Sequence, residues 1–234
     1  MSASLFTQSV RGQQEFLNFW NEERRLLLER NKEGFRAIDV GPLTMGYRLM
    51  STKAGFDIPR HLIYPKGGYV LHMIRMMMWN PRTGDEAFRS LMQDYAKTYA
   101  NGSASTEDFK MMVEKHMLPE MNLENSNRMD WFFNQYVYGT ALPNYKLDYS
   151  FDRASDGNIR LNFKLTQSNV YEQFRMLVPI YLELANGQTV RLGAATIVGN
   201  SMVDQHVPLN GLKDQPKRAM LNYFNDVLCT VDGK

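Results

Sequence analysis

The spacing of apolar residues changes near residue 142, and this change limits the chain to a fold with two dissimilar parts. Before it, apolar residues recur about every 3.6 positions, and glycine and proline interrupt the pattern, as in amphipathic helices. After Pro143, apolar and polar residues alternate in six or seven short stretches, as in half-buried strands. We therefore expect an α+β fold, with helices over residues 1–142 and a small β-sandwich over residues 143–234.

Five helices are expected in the first part, separated by loops rich in glycine and proline. The first helix is expected from about Arg11 to about Lys32, with Gly34 as its C-cap, and the segment 40–46 is expected to be a loop. The other four helices are expected over residues 69–79 after the turn at 64–68, over about residues 85–99, after an N-cap at Ser105, and over about residues 129–138.

The second of these helices is apolar on nearly every side, so we expect it to lie inside the molecule. Pro65 suits the first turn of such a helix, because the N–H that proline lacks would be unpaired there. His72 lies in this helix, where it is either a hydrogen-bonded core histidine or a ligand. Met76–Met78 are either core residues or a site for a soft metal, and methionine fills irregular gaps readily.

Two dipeptides in the second part are typical of hairpin turns. They are Asp156-Gly157 and Asn186-Gly187, each between alternating stretches. A last strand is expected over Asp226–Val231. The single cysteine, Cys229, lies among apolar residues and is expected to be a buried, unreactive thiol.

Charge and composition exclude several classes of function. The chain has 27 Lys and Arg against 25 Asp and Glu, so its net charge of +2 provides no basic field for nucleic acid. One cysteine cannot form an internal disulfide, and no two of the four histidines stand three or four residues apart, so an H-E-x-x-H zinc helix is absent. Neither a membrane-spanning stretch nor a signal-peptide core is found in the sequence, which leaves a soluble chain of unknown compartment.

Tyr64 is the strongest candidate for chemistry in this sequence. A phenol just before a buried helix would lie at the positive end of the helix dipole, and Lys66 would add a cation to the same turn. A phenol stays protonated at neutral pH, so it can donate a hydrogen bond to an oxyanion. The alternative is a packing tyrosine at the helix entrance. His61 either lines a cleft with Tyr64 or is a solvated loop histidine.

Several stretches of the chain occur in an order, and with gaps between them, that match those of a known family. They are residues 64–75 (YPKGGYVLHMIR), 84–88 (GDEAF), Tyr95, 105–109 (STEDF), 129–135 (MDWFFNQ) and 139–145 (GTALPNY). Together they resemble the gluzincin zinc aminopeptidases, the aminopeptidase N family, whose Y-x-K-G segment is similar to the first stretch. The resemblance covers about residues 16–228 and is strongest between Tyr64 and Tyr145.

This resemblance implies a fold, a reaction and a role for Tyr64. The helices would be the C-terminal half of a thermolysin-like catalytic domain, followed by the family's β-sandwich. In such enzymes a zinc-bound water, activated by the glutamate of H-E-x-x-H, attacks the carbonyl of an N-terminal peptide bond. The tyrosine that matches Tyr64 donates a hydrogen bond to the tetrahedral intermediate.

The sequence departs from the family in lacking the zinc-binding segment. H-E-x-x-H, the third-ligand glutamate and the G-x-M-E-N motif all precede Y-x-K-G in the family, and none occurs here. We therefore expect a C-terminal portion of a larger peptidase, inactive alone, with zinc and the peptide substrate bound by the full-length parent. Helices that pack against the missing portion would expose an apolar face, so self-association through the helical part is expected.

Two other functions remain open at this point. One is a non-catalytic scaffold or peptide-binding relative of such peptidases. The other treats the sandwich as a carbohydrate- or protein-binding domain, although its sequence shows no cluster of aromatic residues that favours this.

Overall fold

The computed structural model describes residues 1–153 and 157–232. Within these residues the chain forms eight α-helices and seven β-strands in two sheets, so the fold mixes helices and sheets as expected. The chain divides into two compact units, Met1–Ala141 and Leu142–Lys234. All the α-helices belong to the first unit and all the strands to the second.

The helical unit has eight α-helices and three other helical segments. The α-helices are α1 (Ser2–Arg11), α2 (Gln13–Leu28), α3 (Ala37–Val40), α4 (Ile58–His61), α5 (Gly67–Met78), α6 (Glu86–Thr98), α7 (Thr106–His116) and α8 (Asp130–Tyr136). Leu43–Leu49 and Pro119–Met121 are 3₁₀ segments, and Leu62–Lys66 is a π-helical turn between α4 and α5. No helix of residues 1–153 and 157–232 is both long enough and apolar enough to span a membrane.

The first predicted helix and the loop after it differ from the observed structure. Gly12, at φ 86°, separates α1 from α2, because glycine adopts this left-handed conformation without steric cost. The second helix ends at Leu28, and Gly34 lies in a turn beyond it rather than at its C-cap. The expected loop at 40–46 is helical in part, since 3₁₀ turns cover Leu43–Leu49 with a kink at Gly46.

Helix α5 lies in the core of the helical unit, as its sequence predicts. Nine of its twelve residues are buried, including Met76–Met78, which confirms their interpretation as core residues. His72 stacks on the indole ring of Trp20, with ring centroids 4.2 Å apart, so its surroundings are those of a core histidine. The guanidinium of Arg75 is buried and donates from Nη2 to Asp85 Oδ2 at 2.6 Å.

The remaining helices begin and end close to their predicted limits. Helix α6 begins and ends within one residue of the expected range, and α8 is slightly shorter than expected. The capping box that opens α7 is confirmed. Ser105 Oγ accepts from the backbone N–H of Asp108, and Asp108 Oδ2 accepts from the backbone N–H of Ser105.

The β unit consists of two sheets. Its strands are β1 (Asn144–Arg153), β2 (Ile159–Ser168), β3 (Arg175–Glu183), β4 (Thr189–Val198), β5 (Ser201–Pro208), β6 (Arg218–Leu221) and β7 (Thr230–Val231). One sheet has the order β5-β2-β1-β7 and the other β4-β3-β6. All pairs are antiparallel except β1 with β7. Buried residues alternate along β2 and fill β3, an arrangement compatible with the expected β-sandwich.

The predicted hairpin turns and the predicted last strand agree with the structure to different extents. Asn186-Gly187 joins β3 to β4, with Gly187 at φ 85°, so this hairpin is confirmed. The other predicted turn includes Asp156, which lies outside the described residues. The strand expected over Asp226–Val231 is limited to Thr230–Val231, because the residues before it form a turn in which Asn225 has a positive φ.

That turn carries a buried carboxyl group and the buried cysteine. Tyr181 Oη donates to Asp226 Oδ1 at 2.6 Å, and burial raises the pKa of Asp226 above its ordinary value. The Cys229 thiol is fully buried, and Asn222 Nδ2 donates to its sulfur at 3.3 Å. Burial of this thiol confirms its expected location.

Candidate functional site

Tyr64 lies inside a helical segment and not before one, which corrects the expectation about its surroundings. Helix α4 leads directly into the π-helical turn Leu62–Lys66, and α5 follows without a break. The N-terminal end of this segment is therefore at Ile58, more than one turn away from Tyr64. Since the dipole effect falls off within the first turn, the predicted influence of a helix N-terminus on the phenol is wrong.

The π-helical turn explains how Pro65 is accommodated away from a helix start. Proline inside an α-helix removes one N–H donor, and its ring crowds the carbonyl four residues before it. A π-helical turn changes the hydrogen-bond spacing to five residues, so the backbone passes Pro65 without that contact. Such turns are frequent at functional sites, and here the turn carries Tyr64 on its solvent side.

Tyr64 lines a cleft of about 650 Å³ in the helical unit. Its side chain is 64% exposed, as the role of a hydrogen-bond donor to a bound molecule requires. The cleft is formed by side chains from α2, the 3₁₀ segment Leu43–Leu49, α4 and the π-helical turn. The residues that line it are Glu23, Leu26, Tyr47, Arg60, His61, Tyr64 and Pro65.

His61 lies in the same cleft, so the structure brings it together with Tyr64. Its Nδ1 is 3.9 Å from Asp57 Oδ2, too far for a hydrogen bond. Partial burial lowers the pKa of His61, and the positive charges of Arg60 and Arg25 lower it further, although Asp57 opposes them. At neutral pH this imidazole is therefore mostly uncharged.

Lys66 does not line this cleft, which corrects its expected position. Its side chain is completely buried, and its Nζ donates to the carbonyl oxygen of Gly139 at 2.9 Å. Burial lowers the pKa of Lys66 to about 8. Residues two apart on a helix face different sides, so Lys66 points into the unit while Tyr64 points to solvent.

Three polar residues of the cleft were missed by the sequence analysis: Glu23, Tyr47 and Arg60. Glu23 lies in a charged stretch of α2 that is typical of a solvated helix face, but burial raises the pKa of its carboxyl group. Tyr47 directly follows the segment 40–46 that was expected to be a loop, and its side chain is 60% exposed. Only Arg60 carried a signal, because it precedes Tyr64 by four residues, a spacing that places two side chains on one helical face.

The residues present do not fit a catalytic zinc ion. Such a site takes three protein ligands, usually histidine, cysteine or carboxylate, with a fourth position for water. Across residues 1–153 and 157–232, no three His, Cys, Asp or Glu side chains are grouped so that they could hold a metal. The cleft itself contains one histidine and one carboxylate. The described part of this chain thus does not bring a set of zinc ligands together.

Comparison with known protein families and with curated proteins found no match to this chain. The resemblance to zinc aminopeptidases therefore depends on the sequence stretches between Tyr64 and Tyr145.

Proposed function

We propose that this chain provides part of the active site of a zinc-dependent aminopeptidase and contributes Tyr64 as the hydrogen-bond donor to the transition state. The helical unit would be the C-terminal half of a thermolysin-like catalytic domain, with the β-sandwich after it. The zinc ligands would come from a polypeptide segment outside this chain. The observation that carries the proposal is the exposed Tyr64 side chain in a cleft of about 650 Å³.

The proposed role of Tyr64 is electrostatic. When a peptide carbonyl becomes tetrahedral, negative charge develops on its oxygen, and a phenol O–H directed at that oxygen stabilises it. The hydroxyl of Tyr64 has no hydrogen-bond partner among residues 1–153 and 157–232, so a ligand oxygen would not displace an internal contact. Loss of one such donor costs about 10²- to 10³-fold in rate.

A second candidate function is a non-catalytic, peptide-binding relative of these enzymes. It is favoured by exposed aromatic side chains in this part of the helical unit, Tyr47, Phe56 and Tyr64, which are 60%, 65% and 64% exposed. Aromatic side chains of this kind are enriched where proteins bind other polypeptides. On this alternative, the cleft would hold a peptide without cleaving it.

The test is kinetic and uses the longest polypeptide that the gene encodes around this chain. We expect that polypeptide to hydrolyse alanyl p-nitroanilide, and we expect Tyr64→Phe to lower kcat by about 10²- to 10³-fold with little change in KM, because the donor acts only in the transition state. Tyr47→Phe is the matched control, since it removes a second exposed phenol of the same cleft and should leave kcat nearly unchanged.

Two results would contradict the proposal. Full activity of the Tyr64→Phe enzyme would remove the role of this phenol. Stoichiometric zinc binding and hydrolysis by residues 1–234 alone would show that the metal site lies within the chain. Peptide binding without hydrolysis by the longest polypeptide would instead favour the non-catalytic relative.

A further inference from the structure

We propose that Arg60 determines the specificity of the Tyr64 cleft by binding a carboxylate of the peptide ligand. This inference depends on the proposed function, because it takes the cleft as the place where a peptide lies. Arg60 lies on α4, four residues before Tyr64, and the two side chains line the same cleft. A group bound beside the phenol of Tyr64 would thus lie near the guanidinium of Arg60.

Three other arginines of the helical unit, Arg25, Arg30 and Arg36, are already engaged. Arg25 is bonded to the carboxylates of Glu22 and Glu29, each at 2.6 Å. Arg36 is bonded to Asp39 at 2.6 Å, and Arg30 donates to the carbonyl oxygen of Gly34. These contacts occupy each of the three guanidinium groups, and Arg48, which is exposed beside Tyr47, does not line the cleft.

Arg60 differs from them in having no partner in the described part of the chain. Its side chain is exposed, and no carboxylate of residues 1–153 and 157–232 is within ion-pair distance of it. Asp57, the nearest acid in sequence, contacts His61 and the side chain of Asn31 instead. An exposed guanidinium without a partner at the edge of a cleft is suited to bind a ligand carboxylate, and it can do so through two parallel N–H···O bonds.

The other charged and titratable groups of the cleft define where such a carboxylate can bind. His61 is mostly uncharged at neutral pH, so Arg60 provides the positive charge of the described cleft residues. Glu23 is the carboxylate among them, and it would repel a ligand carboxylate placed beside it, although the nearby N-terminal ammonium of Met1 offsets part of this repulsion. A peptide carboxylate should therefore bind at Arg60, on the side of the cleft that carries Tyr64.

The experiment measures peptide binding to the complete 234-residue chain by NMR titration of its ¹⁵N-labelled backbone. Three peptides are compared: tetra-alanine with a free C-terminus, its C-terminal amide, and the amide of Ala-Glu-Ala-Ala. All three keep the same free amino group, so Glu23 contributes equally to each. The first two distinguish a C-terminal carboxylate from none, and the third introduces an acidic side chain as the source.

We expect at least one of the two carboxylate-bearing peptides to bind about tenfold more tightly than the tetra-alanine amide, with shift changes centred on residues 60–64. Arg60→Gln should abolish this difference, and Arg60→Lys should restore part of it, because lysine keeps the charge but not the planar fork. Arg82→Gln is the matched control. It removes the same charge from an exposed arginine that does not line the cleft, and it should preserve the difference.

Equal binding of all three peptides, no binding, or an unchanged preference in Arg60→Gln would overturn the inference. Because the Arg60 side chain is exposed and makes no bond to the described residues, Arg60→Gln should fold normally, and its NMR spectrum checks this directly. None of these results decides the proposed function, which is tested through the kcat of Tyr64→Phe. Conversely, a full kcat in Tyr64→Phe would contradict the proposed role of Tyr64, but the carboxylate preference could still be measured by the NMR titration.

Discussion

Tyr64 and Lys66 are two residues apart, and their side chains have opposite surroundings. The phenol is exposed in a cleft, whereas the ammonium group is buried and donates to the carbonyl oxygen of Gly139. Gly139 is closely packed, since a Cβ there would lie 2.5 Å from the backbone oxygen of Asn134. Lys66 therefore connects the turn that carries Tyr64 to the segment just after α8, and its effect on the cleft is structural.

The buried ammonium group of Lys66 predicts a specific dependence of stability on pH. Its pKa falls from an ordinary value of 10.5 to about 8 in the folded protein. Between these values the unfolded chain keeps the proton and the native protein does not, so the Lys66 contribution makes the protein more stable as pH rises through that range. Below pH 8 Lys66 is protonated in both the folded and the unfolded state, so the free energy of unfolding is reduced by the full cost of burying the ammonium charge. The difference of 2.5 between 10.5 and 8 corresponds to roughly 3 kcal/mol at most.

We expect Lys66→Met to remove this dependence. The free energy of unfolding of the wild-type chain should rise relative to Lys66→Met by up to about 3 kcal/mol between pH 8 and pH 10.5. Urea unfolding followed by tryptophan fluorescence measures this, because Trp20, Trp79 and Trp131 all lie in the helical unit. Lys97→Met, at an exposed lysine of α6, should show no such trend. A difference that does not vary with pH would show that the pKa of Lys66 is not lowered.

Local sequence signals decide where individual elements begin when the signal is complete within a few residues. The capping box at the start of α7 is such a case, since Ser105 and Asp108 satisfy each other's backbone N–H groups. The start of the helical segment before Tyr64 is the opposite case. Pro65 predicts the first turn of a helix at this position. In the structure it instead lies in the π-helical turn, inside a continuous helical segment.

We expect Ser105→Ala to destabilise the helical unit by about 1 kcal/mol, because the N–H of Asp108 loses its acceptor. Tryptophan-detected urea unfolding should show a lower midpoint with an unchanged slope. Ser103→Ala removes an exposed serine two residues earlier that makes no bond in the described residues, and it should leave the midpoint unchanged. Equal midpoints for the wild-type chain and Ser105→Ala would mean that the cap contributes nothing to stability.

At the scale of the whole molecule, the helical unit exposes apolar side chains on α1. Phe6 and Val10 are 61% and 63% exposed and lie four residues apart, on one face of the helix. Exposed apolar surface of this kind favours association when neighbouring side chains extend it. We propose that copies of this chain associate through this face.

Sedimentation velocity over a range of concentrations tests this proposal. We expect a dimer or larger species, and we expect Phe6→Ser combined with Val10→Ser to shift the distribution toward monomer. The matched control is Val198→Ser combined with Met202→Ser, which removes two exposed apolar side chains from the β unit and should leave the distribution unchanged. A wild-type chain that stays monomeric at high concentration would contradict the proposal.

The sequence by itself determined the elements whose signals are local and repeated. The burial of α5, the cap at Ser105, the alternation along β2 and the hairpin at Asn186-Gly187 each follow from side-chain periodicity or from the conformation that a turn requires. The candidate role of Tyr64 also came from the sequence, through a resemblance and not through periodicity.

Only the tertiary structure decided which side chains share the cleft. Glu23, Tyr47 and Arg60 come from separate segments, and no local pattern states that they meet Tyr64. Lys66 shows the converse, since closeness in sequence suggested a shared site and packing against Gly139 removed it. The physical reason is that periodicity specifies which face of an element is buried, whereas the neighbours of an exposed side chain depend on how elements distant in sequence pack together.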